Sequence, residues 1–122
     1  MSAESAPGTL EISARTEGAA VVAAVRGEID MASAPELEAG LVAALRPAPA
    51  TLIVDLSGVG FLGSAGLSVL LGVSRAHPEL DLRIVATAVA RRPMELTGLD
   101  QLLAVFDSLS AALAAPARAR IA

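Results

Sequence analysis

The chain has no cysteine, tryptophan, tyrosine or lysine, a single histidine and only two phenylalanines. Without cysteine there is no disulfide, no thiolate metal site and no cysteine nucleophile. The lone histidine, His77, has no second imidazole to join it in a metal site or a proton relay. No catalytic residue, no metal site and no cofactor is therefore expected. Basic residues are few and all arginine, and the net charge is -4 with a pI near 4.8. A nucleic-acid binder needs a basic face to neutralise phosphates, so that class is not expected either. Long hydrophobic runs are also missing. Mean hydropathy is high at +0.64, yet the longest unbroken apolar stretch, Ala19 to Val25, has seven residues. A membrane-spanning helix needs about 18 or more, so no membrane insertion is expected. The first residues carry Glu4 and no positive charge, unlike a signal peptide, and the expected location is cytoplasmic. The glycines follow neither the phosphate-loop nor the dinucleotide-binding pattern.

What is present is a chain of 122 residues, 54% apolar and 18% charged. That length suits one domain, which buries roughly two-thirds of its unfolded surface. The expected division is a flexible start over residues 1–8, a folded domain over 9–115 and a flexible tail over 116–122. Leu10, Ile12 and Ala14 alternate with polar residues, the period of a half-buried edge strand. Glu17-Gly18 turns the chain into the apolar run Ala20 to Val25, a strand covered on both faces, so the two read as a hairpin.

Gly27 to Ala32 reads as a loop. Ser33-Ala-Pro-Glu36 has the spacing of a capping box, in which serine and glutamate each accept from the other's backbone N–H. The helix that follows buries Leu37, Leu41, Ala44 and Leu45 and stops at Pro47 and Pro49. Leu52 to Leu56 reads as a strand, Ser57-Gly58 as a turn, and Val59 and Phe61 as buried again. A second helix runs from Ser64 to about Arg75, with Ser64 as its N-cap, and ends at His77-Pro78. Leu82 to Ala86 is a strand. A third helix is capped by Thr87 and stopped by Gly98; Pro93 inside it predicts a kink or a start nearer Arg92. Leu102 to Phe106 is the last strand, and Asp107 or Ser108 caps a final helix through Leu113. Strands alternating with helices predict an α/β fold: a mostly parallel, mixed sheet of about five strands with about four helices.

The informative stretch is Val54 to Gly72, VDLSGVGFLGSAGLSVLLG. Small residues crowd the helix start at Gly63-Ser64-Ala65-Gly66, where a bulky side chain would block another surface. Ser64 is either a plain helix cap or a functional hydroxyl. Asp30 is a turn residue or a contact. Glu28 reads as a solvated charge, Asp55 as structural and His77 as an exposed helix end. Arg91-Arg92 is either a basic patch or a solvated helix face.

These residues resemble the STAS domain of bacterial anti-sigma factor antagonists. Gly63-Ser64-Ala65-Gly66-Leu67 occupies the place of the family's D-[ST]-[ST]-G-L, Gly27-Glu28-Ile29-Asp30 matches its G-E-[LIV]-D, and Leu96-Thr97-Gly98-Leu99 matches its [LM]-[ST]-G-L. The resemblance spans about Leu10 to Leu113 and implies the STAS fold. It implies partner switching in transcription regulation and stress response: the antagonist binds an anti-sigma factor with a serine-kinase fold and frees the sigma factor. Phosphorylation at Ser64 releases the antagonist, and a serine phosphatase resets it. The partner-binding residues so implied are Asp30, Met31, Ser33, Gly63, Ser64, Ala65, Gly66 and Leu67. Two positions depart from the pattern: Gly63 replaces the family's acid and Ala65 its second hydroxyl. An alternative within the same fold is a STAS-type accessory subunit of a lipid-transport ATPase, docked without phosphorylation.

Overall fold

A computed structural model describes residues 10–117. Strand β1 (Glu11–Glu17) folds back antiparallel on β2 (Ala20–Ile29). The turn between them needs Gly18, whose φ of 61° lies in the left-handed region. Then come helix α1 (Ala34–Ala44), β3 (Thr51–Leu62), α2 (Ser64–Ala76), β4 (Asp81–Val85) and α3 (Ala88–Thr97). A 3-10 turn (Leu99–Gln101), β5 (Ala104–Phe106) and α4 (Leu109–Ala114) complete the chain. The sheet order is β1-β2-β3-β4-β5, and every pair after the first is parallel. The mixed five-stranded sheet with four helices is the architecture that the strand–helix alternation predicts.

Side-chain alternation sorts the two faces. Val21, Ala23 and Val25 of β2, Leu52 and Val54 of β3, and Leu82 and Ile84 of β4 pack into one core with α1, α2 and α3. Their neighbours Val22, Ile53 and Val85 point the other way, to a smaller core closed by Ala112 and Leu109 of α4. Both faces of the central strands are thus covered, which is why they read as apolar runs.

Four boundaries differ from the sequence reading. Gly27 to Ile29 continue β2 instead of forming a loop, because Gly27 and Glu28 pair with Val59 and Phe61. Likewise β3 does not turn at Ser57-Gly58. It absorbs extra residues as bulges, between Ala24 and Arg26 and again between Gly27 and Glu28 of its partner. A one-residue slip flips the following side chains to the opposite face. Leu62 therefore goes into the core, and Phe61, expected to be buried, is 51% exposed. Helix α3 starts at Ala88 and runs through Pro93. A proline inside a helix costs about 3 kcal/mol, and the complete burial of Met94, worth about 1.5–3 kcal/mol, offsets it. Finally, β5 is shorter than Leu102 to Phe106, because the residues after Gly98 (φ 78°) first coil into the 3-10 turn and leave Leu102 exposed.

The parallel strands place the loops after β2, β3 and β4 at one end of the sheet. Because β3 outruns β4, its last residues stand beside α3. This is the end where open parallel sheets expose loops to ligands and partners.

Candidate functional site

The loops after β2 and β3 are tied together. The Gly63 N–H donates to the Ile29 carbonyl at 2.9 Å, so the two strand ends turn outward side by side. Gly63 is the N-cap of α2, in extended conformation, and Ser64 is the first helical residue; Ser64 is thus not the cap that the sequence reading assigned. The Gly66 and Leu67 N–H groups both donate to the Gly63 carbonyl. Among the described residues, the Ser64 and Ala65 N–H groups and the Ser64 hydroxyl have no hydrogen-bond partner. Ser64 is exposed. Helix α2 has no acidic side chain in its first turn, so nothing within the helix offsets its N-terminal partial positive charge.

The β2–α1 loop is held by a different pair from the one expected. Ser33 has helical backbone angles and its hydroxyl makes no cap bond to α1, so the Ser33–Glu36 box does not form. Instead Asp30 and Ser33 bond reciprocally: Ser33 N–H donates to Asp30 Oδ1 at 2.9 Å, and Asp30 N–H donates to Ser33 Oγ at 2.9 Å. The Ser33 hydroxyl donates in turn to the Glu28 carbonyl at 2.7 Å. The same box chemistry therefore operates three residues upstream. The backbone N–H of Ser33, and next its hydroxyl, lower the Asp30 carboxyl below its ordinary value, so Asp30 is a fixed negative charge at neutral pH.

Asp30, Met31, Gly63, Ser64 and Ala65 line one open groove of about 660 Å³, together with Ala32 and Phe61. Met31 is 83% exposed, so the groove has apolar walls on both sides of the serine. Ser33, Gly66 and Leu67 are not on that surface. Ser33 is 1% exposed, and Gly66 and Leu67 are buried, so they lie beneath the residues that line the groove. Gly66 is needed there: a Cβ would lie 2.4 Å from Ile29 Cγ2 and 2.7 Å from Leu62 Cδ1. Gly63 is crowded differently. A Cβ would meet the Phe61 ring at 3.1 Å, so the glycine that replaces the family's acid lets that ring lie against the helix start.

Sequence reasoning missed Phe61. Alternation from Val59 placed it inside, and the second register shift of β3, opposite Gly27 and Glu28, turns it out. A second groove of about 480 Å³ shares that ring and is lined by Leu62, Ala88, Val89, Arg92 and Pro93. Of the other candidates, Asp55 is half-buried and accepts from Ser57 N–H at 3.0 Å, a strand-end role. Glu28 is exposed on β2. His77 caps the far end of α2, about 20 Å from Ser64 at 1.5 Å per residue, so the two do not form a nucleophile–base pair. Among the described residues no three of His, Asp and Glu cluster to hold a metal ion. No described helix is long and apolar enough to cross a membrane.

The family model described as Mlab, STAS domain matches residues 12–105. The anti-sigma-F factor antagonist RsfB of Mycobacterium tuberculosis strain H37Rv is 35% identical over 111 residues, covering 89% of this chain and 91% of RsfB. A crystal structure of an anti-sigma factor antagonist from Mycobacterium paratuberculosis superposes with a TM-score of 0.84 at 38% identity, over 90% of this chain and 96% of that one. The anti-sigma factor antagonist SpoIIAA in its unphosphorylated form shares the fold, with a TM-score of 0.66 at 19% identity, over 84% and 93% of the two chains. With a family model matching residues 12–105 and a relative 35% identical over 89% of this chain, the chain belongs to the STAS domain family.

Proposed function

We propose that this protein is an anti-sigma factor antagonist: it docks through the Ser64 groove on an anti-sigma factor with a serine-kinase fold and is released when Ser64 is phosphorylated. The observation that carries the reading is the unbonded, exposed Ser64 hydroxyl between the apolar walls of Met31 and Phe61. The names of RsfB and of the Mycobacterium paratuberculosis structure support the antagonist role. In the transfer step the Ser64 oxygen attacks the γ-phosphorus of ATP, the bond to the β-phosphate oxygen breaks, and the hydroxyl proton is lost as ADP leaves. A phosphatase returns the hydroxyl by hydrolysis.

The charge of about -1.5 to -2 that arrives is well placed for the isolated domain. It sits on the first residue of α2, beside two unused N–H donors and the positive end of the helix. The fold therefore tolerates it. Against a docked partner the same charge must be desolvated, and a loss of about 3 kcal/mol weakens a complex more than a hundredfold. Incubation with the cognate kinase and ATP is expected to add one phosphate to the wild type and none to Ser64→Ala, which still binds. Equal labelling of Ser64→Ala overturns the site. Ser64→Glu is expected to weaken the complex in calorimetry.

The second reading, an accessory subunit of a lipid-transport ATPase, is supported by Gly63 standing where the family has an acid. In that case the groove docks permanently, and Ser64→Glu weakens an ATPase complex while no kinase labels the wild type.

A further inference from the structure

Arg91 and Arg92 are neighbours in sequence, yet the fold treats them differently. Successive helical residues point about 100° apart. Arg91 faces the β5–α4 loop, where its guanidinium bonds Asp107 and its Nε lies 3.6 Å from Glu95 Oε2. Arg92 is exposed, and among the described residues no carboxylate lies within 4.0 Å of it. It lines the second groove, where the other walls are Phe61, Leu62, Ala88, Val89 and Pro93, all uncharged. Phe61 and Val89 are each about half exposed there. A protein of net charge -4 thus keeps one unneutralised cation in an apolar trough that abuts the Ser64 groove along a shared aromatic ring.

We infer that the docking surface has two lobes joined at Phe61, and that the α3 lobe receives an apolar segment of the partner bearing a carboxylate that pairs with Arg92. The inference deepens the proposed function and rests on it, because the occupant is the same anti-sigma factor. Charge complementarity selects an anionic occupant, and the apolar walls select one whose carboxylate is flanked by aliphatic or aromatic side chains. An anionic membrane surface is the poorer fit, since such surfaces attract clusters of several basic residues, and Arg91 is already engaged. Phe61, an exposed aromatic at the seam of the two lobes, has the position and chemistry of an energetic anchor.

The test is calorimetry of the full chain with the purified cognate anti-sigma factor. Phe61→Ala is expected to weaken binding about a hundredfold and Arg92→Glu by a similar factor. Arg92→Ala is expected to weaken it about tenfold and to flatten the salt dependence. Arg75→Glu, at the far end of α2, serves as the control and is expected to bind as wild type. An acid-to-arginine change in the partner that restores binding to Arg92→Glu identifies the pairing carboxylate. If Arg92→Glu binds as wild type while Ser64→Glu still weakens the complex, the second lobe is wrong and the Ser64 reading stands. If Arg92→Glu weakens the complex and Ser64→Glu does not, the Ser64 switch fails and the α3 lobe survives. Two further results overturn the partner assignment: an Arg92-dependent dimer in sedimentation, or Arg92-dependent co-sedimentation with phosphatidylglycerol vesicles.

Discussion

Two helix ends in this molecule are handled in opposite ways. At the C-terminus of α4, one buried arginine gathers a carbonyl of the last turn and two of the segment after it: Arg83, 4% exposed, donates to the carbonyls of Ala112, Ala115 (3.0 Å) and Pro116 (2.9 Å). The same guanidinium forks onto Asp81 Oδ2 at 2.8 and 3.3 Å and lies 6.0 Å from the centre of the Phe106 ring. At the N-terminus of α2, no side chain caps the helix, two N–H groups are unused, and the residues are small. A helix end engaged by a buried cation is tied to the back of the sheet. An unsatisfied, exposed end is available to another molecule. The fold is anchored at the first and addressed at the second.

Breaking the anchored end should cost most. Arg83→Leu removes the cation from buried Asp81 and the donor from three carbonyls, so a loss of about 3–5 kcal/mol is expected in urea unfolding. Under the groove, Gly66→Ala places a methyl against Ile29 and Leu62 and should cost about 1–3 kcal/mol by overpacking. It should also disturb docking, which separates floor from surface when compared with Phe61→Ala.

Ser33→Ala removes a buried hydroxyl that serves the Glu28 carbonyl and the Asp30 N–H, at about 1–3 kcal/mol. It also removes one of the bonds that lower the Asp30 carboxyl, so an NMR titration should show that carboxyl rising toward its ordinary value. Because the folded value lies below the unfolded one, the Asp30 contribution to stability is present above the unfolded carboxylate range. It is lost as pH falls through the folded value. The smallest effect is expected at the addressed end. Ser64→Ala and Ser64→Glu should leave the unfolding free energy within about 0.5 kcal/mol of wild type, with glutamate the more stable of the two. A large loss at Ser64 would erase the contrast between the two ends.

Much of this was legible from local pattern. Leu10, Ile12 and the run Ala20 to Val25 mark the hairpin, Gly98 marks the end of α3, and Ser108 caps α4 by accepting from Ala111 N–H at 3.1 Å. Ser64 was visible as a hydroxyl at a helix start among small residues. Less legible was which of two overlapping boxes in Asp-Met-Ala-Ser-Ala-Pro-Glu would form. Both spacings are present in the sequence, and the burial of Ser33 beneath the loop selects Asp30 over Glu36 as its partner.

The sequence by itself determined the alternation of strands and helices, the helix stops and the position of the serine, because periodicity, proline, glycine and capping act over a few residues. Only the tertiary structure decided that β3 bulges against β2 and turns Phe61 outward. It also decided that Arg91 is neutralised while Arg92 is left facing a groove, and that Arg83 closes the end of α4. Those outcomes depend on register and on partners from distant parts of the chain, and no local pattern encodes which side chain a distant strand or loop will bring alongside.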